Sequence, residues 1–129
     1  MKEIKLTKKN YKYVLNKAYD ILYKGGSVIY PTETSYGLGV DFNNKKAVNS
    51  VYTIKQRNDN KPLSVLMPDL TYALVLLDFN SLAYKLALKY WPGPLTMIIP
   101  FKHKSLDKYG YNNLAIRISS NEFANDLTI

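Results

Sequence analysis

A short apolar strand that runs into a proline, and then into hydroxyls and glycines, constrains this chain most. Ser27-Val28-Ile29-Tyr30 is apolar and β-branched, follows Gly25-Gly26, and reads as a buried strand opened by a turn. Pro31 has no N–H to give to a sheet ladder, so the strand is expected to end there. The residues that follow, Thr32-Glu33-Thr34-Ser35-Tyr36-Gly37-Leu38-Gly39, combine four hydroxyls, a carboxylate and two glycines. Glycine permits positive φ and close backbone approach, so this segment reads as a loop whose hydroxyls and amides surround a small polar ligand. An ordinary polar turn has the same composition, and local chemistry alone leaves both readings open.

Beyond this segment helical and strand patterns alternate. Residues 8–23 place Tyr11, Val14, Leu15, Ala18 and Leu22 at helical spacing with Thr7 as N-cap, and residues 44–55 place Ala47, Val48, Val51, Tyr52 and Ile54 on one face. Residues 63–67 form a second buried strand. Residues 70–77 and 81–90 read as helices, the latter capped by Ser81 with Leu82, Leu86 and Tyr90 periodic, and Trp91-Pro92-Gly93-Pro94 then breaks the chain. Residues 95–101 and 114–119 are two further strands, and Asn121 caps a short last helix through Leu127. There is no internal repeat or linker, so 129 residues are expected to fold as one α/β domain, 1–129.

Composition narrows the chemistry. With no cysteine, thiolate nucleophiles, disulfides and cysteine metal sites are excluded. The first residues lack the apolar core of a signal peptide and no apolar run nears the length of a membrane span, which points to the cytoplasm. The net charge of +8 favours anionic partners, nucleotide or nucleic acid, although a solvated lysine-rich surface would carry the same charge. Only Arg57 and Arg117 are arginines, and a guanidinium grips carboxylate or phosphate bidentately as lysine cannot.

Polar chemistry gathers at four places. The first is residues 32–39. The second is Lys55-Gln56-Arg57-Asn58-Asp59-Asn60-Lys61-Pro62-Leu63, whose three cations suit a triphosphate or simply complement a helix end. The third is Trp91-Pro92-Gly93-Pro94-Leu95-Thr96, a rigid turn or a plain helix stop. The fourth is Arg117, which interrupts the apolar run Leu114-Ala115-Ile116-Arg117-Ile118 and must find a partner there.

Taken in order, the Gly-Gly strand leading to Pro-Thr-Glu-Thr-x-Tyr-Gly-Leu-Gly, then Lys-x-Arg, Lys-Pro-Leu, Trp-Pro-Gly-Pro-x-Thr and the arginine strand resemble the YrdC family of threonylcarbamoyl-AMP synthases. The resemblance covers nearly the whole chain. It implies a single open, twisted mixed sheet with flanking helices and a concave basic cleft. It also implies a nucleotidyltransferase that joins L-threonine, bicarbonate and ATP, with Mg2+, for the threonylcarbamoyladenosine modification of tRNA. By position, Thr34 and Arg117 are then threonine-binding, Lys55, Arg57, Lys61 and Asn113 ATP-binding, and Thr32, Glu33 and Thr96 candidate cleft-lining residues. Glu33 is a candidate magnesium ligand, with a salt bridge to a neighbouring lysine the simpler reading. No protein nucleophile is required, since positioning and charge neutralisation carry such a reaction.

Two departures qualify the resemblance. The family continues into a strand bearing a serine-alanine-asparagine motif, which this chain lacks, and some members have a histidine where Leu66 stands here. His103 lies in a lysine-rich loop and is read as a surface residue. The rival reading is a weakened family member that binds tRNA or double-stranded RNA through its lysines and twelve tyrosines, alone or with other proteins of the same modification pathway.

Overall fold

The computed structural model describes residues 2–55 and 63–129. Five helices and five strands are present among them: α1 (Tyr11–Tyr23), β1 (Val28–Pro31), β2 (Tyr36–Gly39), α2 (Lys45–Ile54), β3 (Ser64–Leu66), α3 (Leu70–Leu76), α4 (Ser81–Tyr90), β4 (Met97–Pro100), β5 (Asn113–Arg117) and α5 (Glu122–Leu127). The α/β class matches the expectation. The strands fall into two small sheets rather than one, an antiparallel β1–β2 pair and a three-stranded sheet in the order β3-β5-β4. In the latter β5 is central, parallel to β3 and antiparallel to β4.

The segment read as a loop contains a strand. Pro31 does close β1, but the chain turns over Thr32–Ser35 and returns as β2, with Val28 opposite Gly39 and Tyr30 opposite Gly37. Neither Gly37 nor Gly39 adopts positive φ, which among the glycines is confined to Gly25 and Gly110. Their role is space: a Cβ at Gly39 would stand 2.7 Å from the Tyr30 ring and one at Gly37 would stand 3.0 Å from it. The aromatic ring covers two residues with poor intrinsic strand preference and replaces the side-chain packing they lack.

The core lies on the three-stranded sheet. Leu114 and Ile116 of β5 are fully buried against Leu77, Met67, Trp91 and the inward pair Met97 and Ile99, while Ile98 points outward, as alternation in an edge strand requires. Helix α2 buries Ala47, Val48, Val51 and Tyr52, but Ile54, read as part of the same face, is exposed. In α4 the core face is Ala83, Leu86 and Ala87, so that small residues let the helix approach closely, and Leu82 and Tyr90 face outward. Asparagine precedes four of the five α-helices and Asp69 the other, α3: Asn80 rather than Ser81 accepts the Ala83 N–H at 2.8 Å, and Asn10 rather than Thr7 precedes α1, the two exchanging hydrogen bonds ahead of the helix. Asn121 accepts from Ala124 N–H at 3.0 Å and starts α5 as expected.

Helix α5 packs on α1 and β1. Phe123 meets Tyr11 of α1 edge-on at 5.6 Å, and the Tyr11 hydroxyl donates to Asp126 at 2.6 Å. Among the described residues no helix is long and apolar enough to cross a membrane.

Candidate functional site

The turn between β1 and β2 is held by one side chain. Thr32 N–H donates to Ser35 carbonyl at 3.0 Å, its hydroxyl donates to the same carbonyl, and Thr32 Oγ1 accepts from the Thr34 and Ser35 amides at 3.2 and 3.1 Å. With Thr32 spent on the turn, Thr34 is left facing outward and Glu33 turns inward. Thr34 is exposed, and its hydroxyl lies 3.2 Å from that of Thr32.

Arg117 comes to meet them from the end of β5. The β4–β5 register that sets Met97 opposite Ile116 brings Thr96 beside Arg117, and Arg117 Nε donates to Thr96 Oγ1 at 3.0 Å. Its Nη1 donates to Glu33 Oε1 and to Thr34 Oγ1, each at 3.4 Å. A guanidinium has five N–H donors. Three are used here, so among the described residues the two on Nη2 carry no hydrogen bond.

Glu33 is more buried than the arginine it faces, with its side chain 11% exposed against 25%. Its second carboxylate oxygen accepts from the Ser119 hydroxyl. Burial pushes the Glu33 carboxyl up, but the Ser119 hydroxyl, its own amide, the Arg117 charge and the Asn121 amide together hold it below the ordinary value. The partner of Glu33 is therefore Arg117, not a lysine. With one oxygen on Arg117 and the other on Ser119, Glu33 does not fit a magnesium ligand, and among the described residues no group of three or more His, Cys, Asp or Glu gathers to hold a metal. Tyr30 lies close by, its hydroxyl pushed up by burial, partly offset by Arg117.

Thr32, Thr34, Lys55 and Arg117 line one cleft of about 960 Å3, together with Lys108 from the loop before β5. Lys55 is the exposed residue closing α2. Asn113 starts β5 and is four residues from Arg117, roughly 13 Å along an extended strand, so it is not brought to the Thr34–Arg117 pair. Thr96 sits behind Arg117 as its acceptor rather than on the cleft wall. Arg57 and Lys61 lie outside the described residues. The Trp91–Pro94 turn does more than stop a helix: Gly93 N–H donates to Ile118 carbonyl at 2.8 Å and Trp91 Nε1 to Leu95 carbonyl at 2.7 Å, which fixes the turn against the arginine segment.

Ser119 is the residue that sequence reading missed. It stands two positions after Arg117, just past the end of β5, and it is the single buried polar residue among those described.

The model of the Sua5/YciO/YrdC family, described as telomere recombination, matches residues 20–128. The chain belongs to this family. A Methanocaldococcus jannaschii member named "Putative threonylcarbamoyl-AMP synthase" is 35% identical over 129 residues, which are all of this chain and 62% of that protein. Sua5 of P. abyssi, solved in complex with L-threonine, superposes with a TM-score of 0.80 at 28% identity, covering 98% of this chain and 36% of that one. YciO of E. coli superposes with a TM-score of 0.77 at 26% identity, covering 90% of this chain and 58% of that one. The chain thus spans less than two thirds of the length of these Sua5/YciO/YrdC relatives.

Proposed function

We propose that this chain is an L-threonylcarbamoyladenylate synthase domain, which makes threonylcarbamoyl-AMP and pyrophosphate from L-threonine, bicarbonate and ATP in the cytoplasm for tRNA modification. The observation that carries the reading is Arg117. Its guanidinium is held on three donors by Thr96, Glu33 and Thr34, while the two donors on Nη2, without a partner among the described residues, are left for a ligand carboxylate beside the Thr34 hydroxyl. A site with one fixed cation and one hydroxyl suits a hydroxy amino acid, and the name of the M. jannaschii relative and the threonine complex of P. abyssi Sua5 support the same substrate.

In this reading Arg117 and Thr34 orient threonine while its amino group takes up bicarbonate as a carbamate with loss of water. A carbamate oxygen then attacks the α-phosphorus of ATP and pyrophosphate leaves. Holding the carbamate against the nucleotide supplies much of the acceleration, because it converts an encounter into an intramolecular step. Lys55, with Arg57 and Lys61 beyond it in sequence, provides cations for the phosphates, and Asn113 is assigned to the nucleotide by resemblance only.

The test is pyrophosphate release by the purified chain with ATP, bicarbonate and magnesium, comparing L-threonine, L-serine and no amino acid. Release that depends on threonine supports the proposal. Absence of both release and threonine binding would overturn it and favour the RNA-binding reading, which nonspecific RNA affinity falling steeply with salt would support.

A further inference from the structure

We propose that Ser119 is a positioning residue for amino-acid recognition, acting on Arg117 through Glu33. The inference rests on the reading of Arg117 as the carboxylate-binding group.

Ser119 is 2% exposed, and its hydroxyl accepts from Asn121 N–H at 3.1 Å and donates to Glu33 Oε2. Asn121 in turn caps α5, so the hydroxyl is fixed by the start of a helix rather than by a mobile loop. The other Glu33 oxygen then faces Arg117 Nη1. Helix cap, serine, glutamate and arginine form one chain of hydrogen bonds that ends at Nη2, whose two N–H groups have no partner among the described residues.

This arrangement answers a difficulty in the site. Glu33 is next to Thr34 in sequence, on the same turn that faces the cleft, and an unrestrained carboxylate there would compete with a ligand carboxylate for Arg117 and repel it. The bond to Ser119 holds Glu33 on Nη1, off the cleft lining that Thr34 and Arg117 share. There its charge orients Arg117 without occupying the face left for the ligand. Removing the hydroxyl leaves the carboxylate to its own amide, the Asn121 amide and Arg117, and so loosens it toward Nη2.

The test measures L-threonine and ATP affinities by titration calorimetry for the wild-type chain, Ser119→Ala and Ser119→Thr. A lost hydrogen bond to a charged group predicts threonine affinity about tenfold weaker in Ser119→Ala. ATP affinity should be unchanged, and Ser119→Thr, which keeps the hydroxyl, should restore threonine binding. Equal losses for both ligands, or wild-type threonine affinity in folded Ser119→Ala, would overturn the role of Ser119 while leaving Arg117 as the threonine group. A wild-type chain that binds ATP but not threonine would overturn both. Should Ser119→Ala fail to fold, Glu33→Asp asks the same question: a side chain one methylene shorter cannot span Ser119 and Arg117, so threonine alone should bind more weakly, and unchanged threonine affinity would sink the proposal.

Discussion

Gly39 faces the ring of Tyr30 so closely that a Cβ at position 39 would lie 2.7 Å from Cε1. The ring cannot retreat freely, because it is half-buried between the β1–β2 pair and the Arg117 region. Gly39→Ala is therefore expected to cost about 1–3 kcal/mol, the range for overpacking a fitted site. In a Tyr30→Leu background the same change should cost far less. Denaturant unfolding of the four variants measures this, and equal costs in both backgrounds would show that the ring is not the obstacle.

That relationship also explains where the sequence was hard to read. The periodicity of Ala47, Val48, Val51 and Tyr52 was enough to place α2, and Asn121 was enough to start α5, because both signals are local. Tyr36–Gly39 gave no such signal: two glycines in four residues argue against a strand, and what makes one is a ring supplied by β1. Leu82 and Tyr90 misled for a related reason, since the face that meets the core is set by Ala83 and Ala87, whose small size permits close packing but leaves little hydrophobic pattern. At the site, the need of Arg117 for a partner was legible as electrostatics. That the partner is Glu33, 84 positions earlier, depends on the fold bringing the β1–β2 turn to the end of β5.

Arg117→Met should be costly for the fold as well as the ligand. It removes the cation from Glu33, whose side chain is 11% exposed, and leaves that carboxylate with only neutral donors, the Ser119 hydroxyl and the Glu33 and Asn121 amides. Because Arg117 itself is 25% exposed, a loss of about 2–3 kcal/mol is expected, below the range for a fully buried pair broken on one side. Adding Glu33→Gln should recover part of the stability by removing the stranded charge, while threonine binding stays lost. A double variant less stable than Arg117→Met would contradict this account.

The pH dependence of stability should carry the same signature. Glu33 is held below its ordinary value of 4.5 in the folded chain, so its contribution is complete above that value and is lost as pH falls from there through the depressed folded value. The stability difference between the wild-type chain and Glu33→Gln should therefore be constant near neutrality and shrink on acidification below the ordinary value. Asp107, also held low by the Asn112, Tyr111, Tyr109 and Gly110 amides against the effect of its burial, is common to both chains and cancels in the difference. A difference that grew toward acid would reverse the sign assigned to Glu33.

Thr34→Ala separates recognition from folding. Thr34 is exposed on the turn, and the turn itself is held by Thr32, so the alanine variant should keep its unfolding midpoint within the range of ordinary surface substitutions, about 0.5 kcal/mol. Loss of one hydrogen bond to a neutral group predicts L-threonine binding about fivefold weaker. ATP affinity should not change, and discrimination between L-threonine and an amino acid without a side-chain hydroxyl should narrow. Titration of both ligands decides it: unchanged threonine affinity would remove Thr34 from the site, and a parallel loss of ATP affinity would mean that the hydroxyl shapes the cleft as a whole rather than reading the amino acid.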